Sequence, residues 1–182
     1  MTEEINIVRP EESDLKSAFE VFEKSIKDAF VKEGLQDLSQ LMLEEIELKK
    51  NLLKRSVAED DADTFFLVAK KGNLVTGTIS YGPTGKEIRD CTGGALDHLG
   101  ELGSLYVLPE YQEKGTGRLL IRELARYLHQ AGISEFCLDS GYKRAQKKWV
   151  RKFGMPYLTV KDYWGEGSDH MIWVCRTSDH IC

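Results

Sequence analysis

A glycine-containing turn between an apparent strand and an apparent helix constrains the fold of this chain more than any other feature. Residues 102–107 read as a strand, residues 118–125 as an amphipathic helix, and residues 112–117 between them contain Gly115 and Gly117. The first turn of a helix has N–H groups without intrahelical acceptors and a partial positive charge. Glycine lets an anion approach such groups closely. The arrangement favours a phosphate-binding turn, although such turns often only reverse the chain.

The spacing of the two glycines excludes two widespread phosphate-binding motifs. A P-loop needs four residues between its glycines, followed by Lys and then Ser or Thr. Here one residue separates the glycines, and Arg118 follows. The dinucleotide fingerprint needs a third glycine three residues after the second, where this chain has Leu120.

The remaining pattern is Gln-x-x-Gly-x-Gly after a strand that continues as Leu-Tyr-Val-x-Pro-Glu-Tyr. Across residues 105–120 this pattern resembles the acetyl-CoA site of the GNAT superfamily of N-acetyltransferases. The resemblance implies that acetyl-CoA is the acyl donor and that backbone N–H groups of the turn bind its pyrophosphate. The implied cofactor contacts are Leu105, Tyr106, Val107, Gln112, Glu113, Lys114, Gly115, Thr116, Gly117 and Arg118.

The same resemblance implies specific parts for the strand and the turn. The main chains of Leu105 and Val107 would pair with the pantetheine arm, and the Val107 N–H would face the thioester oxygen as an oxyanion donor. Gln112 would stabilise the turn. Lys114 and Arg118 would add charged contacts or would remain solvated.

Hydrophobic periodicity and turn residues give the element order β-α-α-β-β-β-α-β-α-β-β. This order is similar to the GNAT fold and predicts an α/β (α+β) architecture with a mixed, mostly antiparallel central sheet flanked by helices. We expect one domain over residues 1–182. Residues 82–99 contain several glycines and read as a loop, with a short strand near Ile88 and Cys91, that borders the acceptor or is a plain surface excursion.

Composition narrows the classes of partner. The net charge of -5 argues against nucleic acid, and no apolar run is long enough for a membrane helix. The acidic residues 1–4 lack a signal peptide's apolar stretch, so we expect a cytoplasmic protein. The four cysteines and four histidines show no metal-ligand spacing, so no metal is expected, and Cys137 and Cys175 read as buried thiols. A homodimer is possible.

Acetylation of an amine requires removal of a proton, because an alkylamine has a pKa of ~10.4. Glu101 is the candidate base, since it lies eleven residues before Gln112, the offset of the catalytic glutamate in histone-acetylating members of the superfamily. Simple alternation places Glu101 on the same strand face as Leu105 and Val107. The alternatives are a structural glutamate at a strand end and catalysis through ordered water.

The residue at the family's general-acid position differs from the usual tyrosine. Many members end the last helix in Phe-Tyr-Glu-Lys-x-Gly-Phe, in which the tyrosine protonates the departing thiolate, but Val150 occupies that position here. Tyr142, just beyond the preceding strand, is the substitute candidate. It can equally be a packed aromatic residue, and a thiol with a pKa of ~8.5 can leave unaided. The basic residues 143–152 either attract coenzyme A phosphates or form a solvated face.

These features predict an acetyl-CoA-dependent N-acetyltransferase that acts on the primary amine of a small molecule or peptide by direct attack on the thioester. The alternative is a coenzyme A-binding sensor of the same fold with little transferase activity. Val150 at the usual tyrosine position motivates this alternative.

Overall fold

The computed structural model of the protein describes residues 4–182, so most of the acidic N-terminal segment lies outside the described residues. The strands are β1 (Ile5–Val8), β2 (Phe65–Lys71), β3 (Leu74–Pro83), β4 (Gly100–Val107), β5 (Glu135–Ser140), β6 (Leu158–Val160) and β7 (His170–Arg176). The helices are α1 (Leu15–Lys32), α2 (Ser39–Ala58), α3 (Lys86–Thr92), α4 (Thr116–Gln130) and α5 (Lys143–Phe153).

The strands form one seven-stranded sheet in the order β1-β2-β3-β4-β5-β7-β6. Every neighbouring pair is antiparallel except β4 and β5, which are parallel. The predicted fold class is therefore confirmed. The parallel pair requires a crossover, and α4 provides it.

Apolar faces of the helices cover both sides of the sheet. On one side, the buried stripe of α4 packs against strand residues that include Leu102, Phe136 and Trp173. On the other side, α1 and α2 enclose a second core around Phe22, Phe66 and Leu108. These stripes follow helical periodicity, which explains why the sequence identified the helices.

The central strands separate after only two paired positions. Gly100 of β4 pairs with Phe136 of β5, and Glu101 pairs with Cys137. Beyond Glu101 the two strands diverge within the described sheet, while β5 stays paired with β7 along its whole length. We call the resulting gap between β4 and β5 the sheet opening.

A β-bulge in β4 lies beside the sheet opening. Gly103 pairs with Ser80 and Tyr106 with Thr78, so two residues of β4 oppose the single residue Ile79. Ser104 has a φ of 46°, an unusual value for a residue other than glycine. The predicted strand face is therefore wrong, because the bulge breaks the alternation of side chains. Glu101 shares a face with Tyr106, and Leu105 and Val107 pack on the α4 side.

The predicted loop at residues 82–99 contains a helix, and the short strand expected near Ile88 and Cys91 is wrong. Helix α3 begins after Gly85 and ends at Gly93, whose φ of 59° is typical of a helix C-terminus. Ile88 is fully buried against Leu96, Cys137 and Ile172. The glycines thus bound a short helix, although in the sequence they read as loop residues. Strand β6 is also shorter than the segment 157–163 that the sequence predicted.

Within residues 4–182, no helix combines the length and the apolar character that crossing a bilayer requires.

Candidate active site

Backbone groups of β4 face the sheet opening. The Leu108 N–H donates to the Thr76 carbonyl at 2.9 Å, and the Ser104 carbonyl accepts from the Thr78 hydroxyl at 2.8 Å, so both point toward β3. Because successive residues of a strand direct their polar groups to opposite sides, the N–H of Val107, which follows the bulge and precedes Leu108, points away from β3. That side of β4 has lost its pairing with β5.

The Val107 carbonyl fixes the end of β4 to two neighbours. It accepts hydrogen bonds from the Ser25 hydroxyl at 2.9 Å and from the Gln112 side-chain amide at 3.1 Å. Lys32 also donates to Gln112, at 3.3 Å. These bonds join α1, the strand end and the glycine turn. Ser25 had no sequence signal, because a serine on a helix face ordinarily contacts solvent.

The glycine turn leads directly into α4. Gly115, with a φ of 88°, precedes the first helical residue, Thr116, and Glu113 also has a positive φ of 60°. A side chain added at Gly117 would come no closer than 3.9 Å to its nearest neighbour, Val107, so the first turn of the helix is open. Its N–H groups have no acceptor within the helix, which makes this end of α4 suitable for an anion.

A cleft of about 430 Å³ joins the turn to the sheet opening. It is lined by backbone and side chains of residues 105–107 and 117–118, by Tyr142, and by one face each of α1 and α5. The lining contains five cations, namely Lys32, Arg118, Arg144, Lys148 and Lys152, and three carboxylates, namely Asp28, Glu33 and Glu113, so positive charge is in excess by two. Burial and then the charge of Arg118 lower the pKa of Lys152. Such crowding of positive charge favours an anionic ligand.

The predicted cofactor contacts Arg118 and Lys114 differ in their position relative to the cleft. Arg118 lines the cleft, whereas the Lys114 ammonium lies 5.6 Å from the centre of the Tyr111 ring, outside the lining. Glu113 and Gln112 also line the cleft. Tyr106 lines it too, and its side chain points toward α2.

Glu101 lies where β4 and β5 separate, at the base of the opening. Its Oε2 accepts the Gly85 N–H at the start of α3, with an N–O distance of 2.5 Å. Burial, followed by the negative charge of Asp139, raises its pKa from 4.5 to about 7, against the opposing effects of the Gly85 N–H and Lys49. A carboxyl group with this pKa can accept and release protons near neutral pH.

Tyr142 immediately precedes α5, and its ring borders the cleft. Its hydroxyl donates to the Glu45 Oε2 at 2.8 Å, and burial and then Glu45 raise the pKa of the phenol. Val150, the position of the family tyrosine, is 38% exposed and lies outside the cleft lining. The structure therefore brings Tyr142, and not Val150, to the cleft.

A buried histidine supports Asp139. The Trp164 indole N–H donates to the His170 Nδ1 at 3.1 Å, so the proton of a neutral His170 is on Nε2, which lies 2.9 Å from the Asp139 Oδ2. His170 is only 3% exposed. Asp139 and Glu45 were absent from the sequence-based site, because their partners His170 and Tyr142 are 31 and 97 residues away in the chain.

Cys137 and Cys175 are buried free thiols, as the sequence predicted. Burial raises the pKa of each to about 12. No group of three or more potential metal ligands occurs in the described residues 4–182.

The sheet opens between two parallel central strands, beside a glycine turn and a helix N-terminus, and these features agree with the acyltransferase fold that the sequence indicated. The model of the acetyltransferase (GNAT) family matches residues 22–155. The chain therefore belongs to the GNAT acetyltransferase family and is an acyltransferase, and its family uses acetyl-CoA. No curated protein sequence matched the chain significantly.

Solved structures of this fold cover nearly the whole chain. A putative GNAT-family acetyltransferase from Desulfovibrio desulfuricans has a TM-score of 0.74 at 18% identity, covering 96% of this chain and 99% of its own. The PaiA N-acetyltransferase from Thermoplasma acidophilum, solved in complex with coenzyme A, has a TM-score of 0.67 at 22% identity, with coverage of 95% and 99%. The Escherichia coli ribosomal-protein-S18-alanine N-acetyltransferase has a TM-score of 0.61 at 14% identity, with coverage of 96% and 94%.

Proposed function

We propose that this protein transfers the acetyl group of acetyl-CoA to the primary amine of a small molecule or peptide. The observation that carries the proposal is the sheet opening, which exposes the backbone of β4 next to the N-terminus of α4. We further propose that residues 1–182 act as one domain in the cytoplasm.

The residues of the cleft fit acetyl-CoA, which supplies an activated acetyl thioester. The backbone of Leu105 and the N–H of Val107, whose carbonyl is already bonded to Ser25 and Gln112, would hold the pantetheine arm in the way that a neighbouring strand would. The first turn of α4 would hold the pyrophosphate, and Arg118 and Lys152 would neutralise phosphate charge. Phosphate would also offset the two causes that lower the pKa of Lys152, which are its burial and then its repulsion by Arg118.

Glu101 is the base in this proposal. An ammonium with a pKa of ~10.4 holds its proton at neutral pH, and a carboxylate with a pKa of about 7 is ionised in half of the molecules there. Its partly buried position strengthens its interaction with a cation. Gly85, which donates to Oε2, fixes the orientation of the carboxyl group.

Tyr142 is the proton donor to the leaving sulfur in this proposal. Its hydroxyl stays protonated over the physiological range because its pKa is raised. The sensor alternative rested on the absence of a tyrosine at position 150. Because Tyr142 borders the cleft, that argument for a sensor is weaker.

Two measurements test the proposed function. Acetyl-CoA at a hundredfold excess over its Kd would stabilise the protein by about 2.7 kcal/mol, which a thermal unfolding experiment detects. Thiol release would then be followed with a panel of amines. The panel includes a peptide with an N-terminal alanine, an aminoglycoside and spermidine, because the names of three fold neighbours refer to these substrates.

The two measurements separate the alternatives. Absence of stabilisation at millimolar acetyl-CoA would contradict donor binding. Stabilisation by acetyl-CoA, without release of the coenzyme A thiol in the presence of any amine of the panel, would favour the sensor.

A further inference from the structure

Glu45 of α2 connects the two sides of the sheet opening. Its Oε1 accepts the Tyr106 hydroxyl at 2.6 Å, and its Oε2 accepts the Tyr142 hydroxyl at 2.8 Å. Tyr106 belongs to β4, and Tyr142 follows β5. One carboxylate thus spans the place where these strands have no backbone pairing.

Aromatic packing holds both phenols on the α1–α2 side. The rings of Phe22 and Tyr106 are 5.7 Å apart, and those of Phe30 and Tyr142 are 6.1 Å apart, both edge-to-face. Among residues 4–182, Glu45 is the one hydrogen-bond partner of both hydroxyls. The orientation of each O–H bond is therefore set by Glu45.

Glu45 lies on the side of the sheet that holds Glu101. The bulge at Ser104 puts Tyr106 and Glu101 on one face of β4, and Lys49, one helical turn after Glu45, acts electrostatically on Glu101. On this side the carboxylate of Glu45 is half-buried, and neither Glu45 nor Glu101 belongs to the lining of the cleft. A carboxylate there attracts an ammonium group.

The arrangement also restricts Tyr142. A phenol has one proton, and while it is donated to Glu45 it cannot be donated to sulfur. We propose that Glu45 is a positioning residue that receives the acceptor's ammonium and thereby frees the Tyr142 hydroxyl to protonate the leaving thiolate. This inference rests on the proposed function, because it requires amine acetylation.

The proton and electron balance of the step is complete with these groups. Glu101 takes one proton from the ammonium, the nitrogen lone pair forms the C–N bond, and the C–S bond breaks with its electron pair on sulfur. Tyr142 gives its proton to sulfur and recovers one from the acylated nitrogen. The amide and the free thiol are the products.

The first test needs no catalysis. In protein carrying ¹³C at tyrosine Cζ, without acetyl-CoA, n-butylamine at pH 7 should move the Tyr142 resonance, which Tyr142→Phe identifies. The uncharged analogue 1-butanol should leave it in place, and the exposed Tyr127 serves as an internal reference. The proposal would be overturned if n-butylamine did not change the chemical shift of Tyr142, or if 1-butanol changed it equally.

The second test uses matched variants. Glu45→Gln should abolish the n-butylamine response and raise the acceptor KM about tenfold or more, since a hydrogen bond to a charged group is lost. Glu44→Gln is the control, because Glu44 is exposed and, among residues 4–182, its side chain accepts only from Gln40 of the same helix, at 2.8 Å. Tyr142→Phe should instead lower kcat and leave KM unchanged.

The outcomes separate this inference from the proposed function. If Glu45→Gln keeps the wild-type KM while the enzyme acetylates amines, the proposed function stands and the inference fails. If acetyl-CoA does not bind at all, the proposed function fails, whatever the tyrosine resonances show.

Discussion

At the scale of the residue, the environment of Glu101 determines its chemistry. The side chain is partly buried, and Asp139 adds a second negative charge nearby, so its pKa rises to about 7. The same carboxyl group on an exposed strand would be ionised throughout the neutral range, with less affinity for a proton. Burial therefore turns a common acidic residue into a base matched to neutral pH.

Replacement of Glu101 by Gln should change the pH dependence of acetylation. In the wild type, kcat/KM for an amine should rise up to pH about 7, where Glu101 becomes ionised, and then level off. Without the base, the rate should continue to rise toward the amine pKa of ~10.4. We expect a loss of about a hundredfold or more at and below pH 7 that shrinks at higher pH. A variant that retains the wild-type profile would exclude Glu101 as the base.

The same substitution should stabilise the protein at alkaline pH. Because the pKa of Glu101 is higher in the fold than its ordinary 4.5, the protonated form is favoured, and stability is lost as the pH rises from 4.5 through about 7. Gln does not ionise, so Glu101→Gln should gain on the order of 1–3 kcal/mol in unfolding free energy above pH 7. Below pH 4.5 the two proteins should be equally stable. Urea unfolding at both pH values measures the difference, and an equal effect at both would contradict this account.

At the scale of the element, helices α4 and α5 bring positive charge to one cleft. Their sequences show the cations, but only the packing shows which ones converge. Arg118 and Lys152 lie close enough to repel each other, whereas Lys147 is exposed outside the cleft lining.

We expect Arg118→Gln to raise the Kd for acetyl-CoA about tenfold, because a charge-assisted hydrogen bond to phosphate is lost. Lys147→Gln removes the same charge from the same region and should have little effect. Calorimetric titration of both variants, at low and high salt, makes the comparison. Equal weakening of acetyl-CoA binding by both substitutions would indicate only the general positive field of α4 and α5, and not a specific contact of Arg118.

The sequence predicted the strand, glycine turn and helix at residues 102–125 because their signals are local. Glycine spacing, apolar periodicity and turn residues are all read within a few positions. The bulge at Ser104 has no such signal, because serine rarely adopts a positive φ. The bulge puts Leu105 and Val107 on the face opposite to Glu101, whereas simple alternation predicted a shared face. Helix α3 was missed because its bounding glycines resemble loop residues.

The contacts of Glu45 lay beyond sequence reasoning for a different reason. Residues 44–50 place carboxylates four or five positions before lysines, a pattern that is typical of a solvated helix face. The partners Tyr106 and Tyr142 are 61 and 97 residues away, and tertiary packing alone brings them to one carboxylate.

At the scale of the whole molecule, the sheet consists of two parts joined at two positions of β4 and β5. Strands β1 to β4 form one part, and β5, β7 and β6 form the other. Side chains add to this junction, most directly through Glu45. Acetyl-CoA bound along β4 would fill the gap that backbone pairing leaves.

Hydrogen exchange should detect this effect. Binding of acetyl-CoA should slow exchange of the Leu105 and Val107 amides about tenfold or more, because they gain acceptors and lose contact with water. The amide of Val68, inside the fully paired strand β2, should change much less. Uniform slowing across the sheet would show general stabilisation and would contradict a local contact with β4.

The two-position junction between β4 and β5 also affects the susceptibility of the protein to proteolysis. Without a ligand, the backbones of the two half-sheets are paired at two positions, although the core under α4 also holds them together, and local opening there would expose chain to proteases. Under the proposed function, a bound donor would fill this gap. Binding of the donor would then make the protein more resistant to proteolysis.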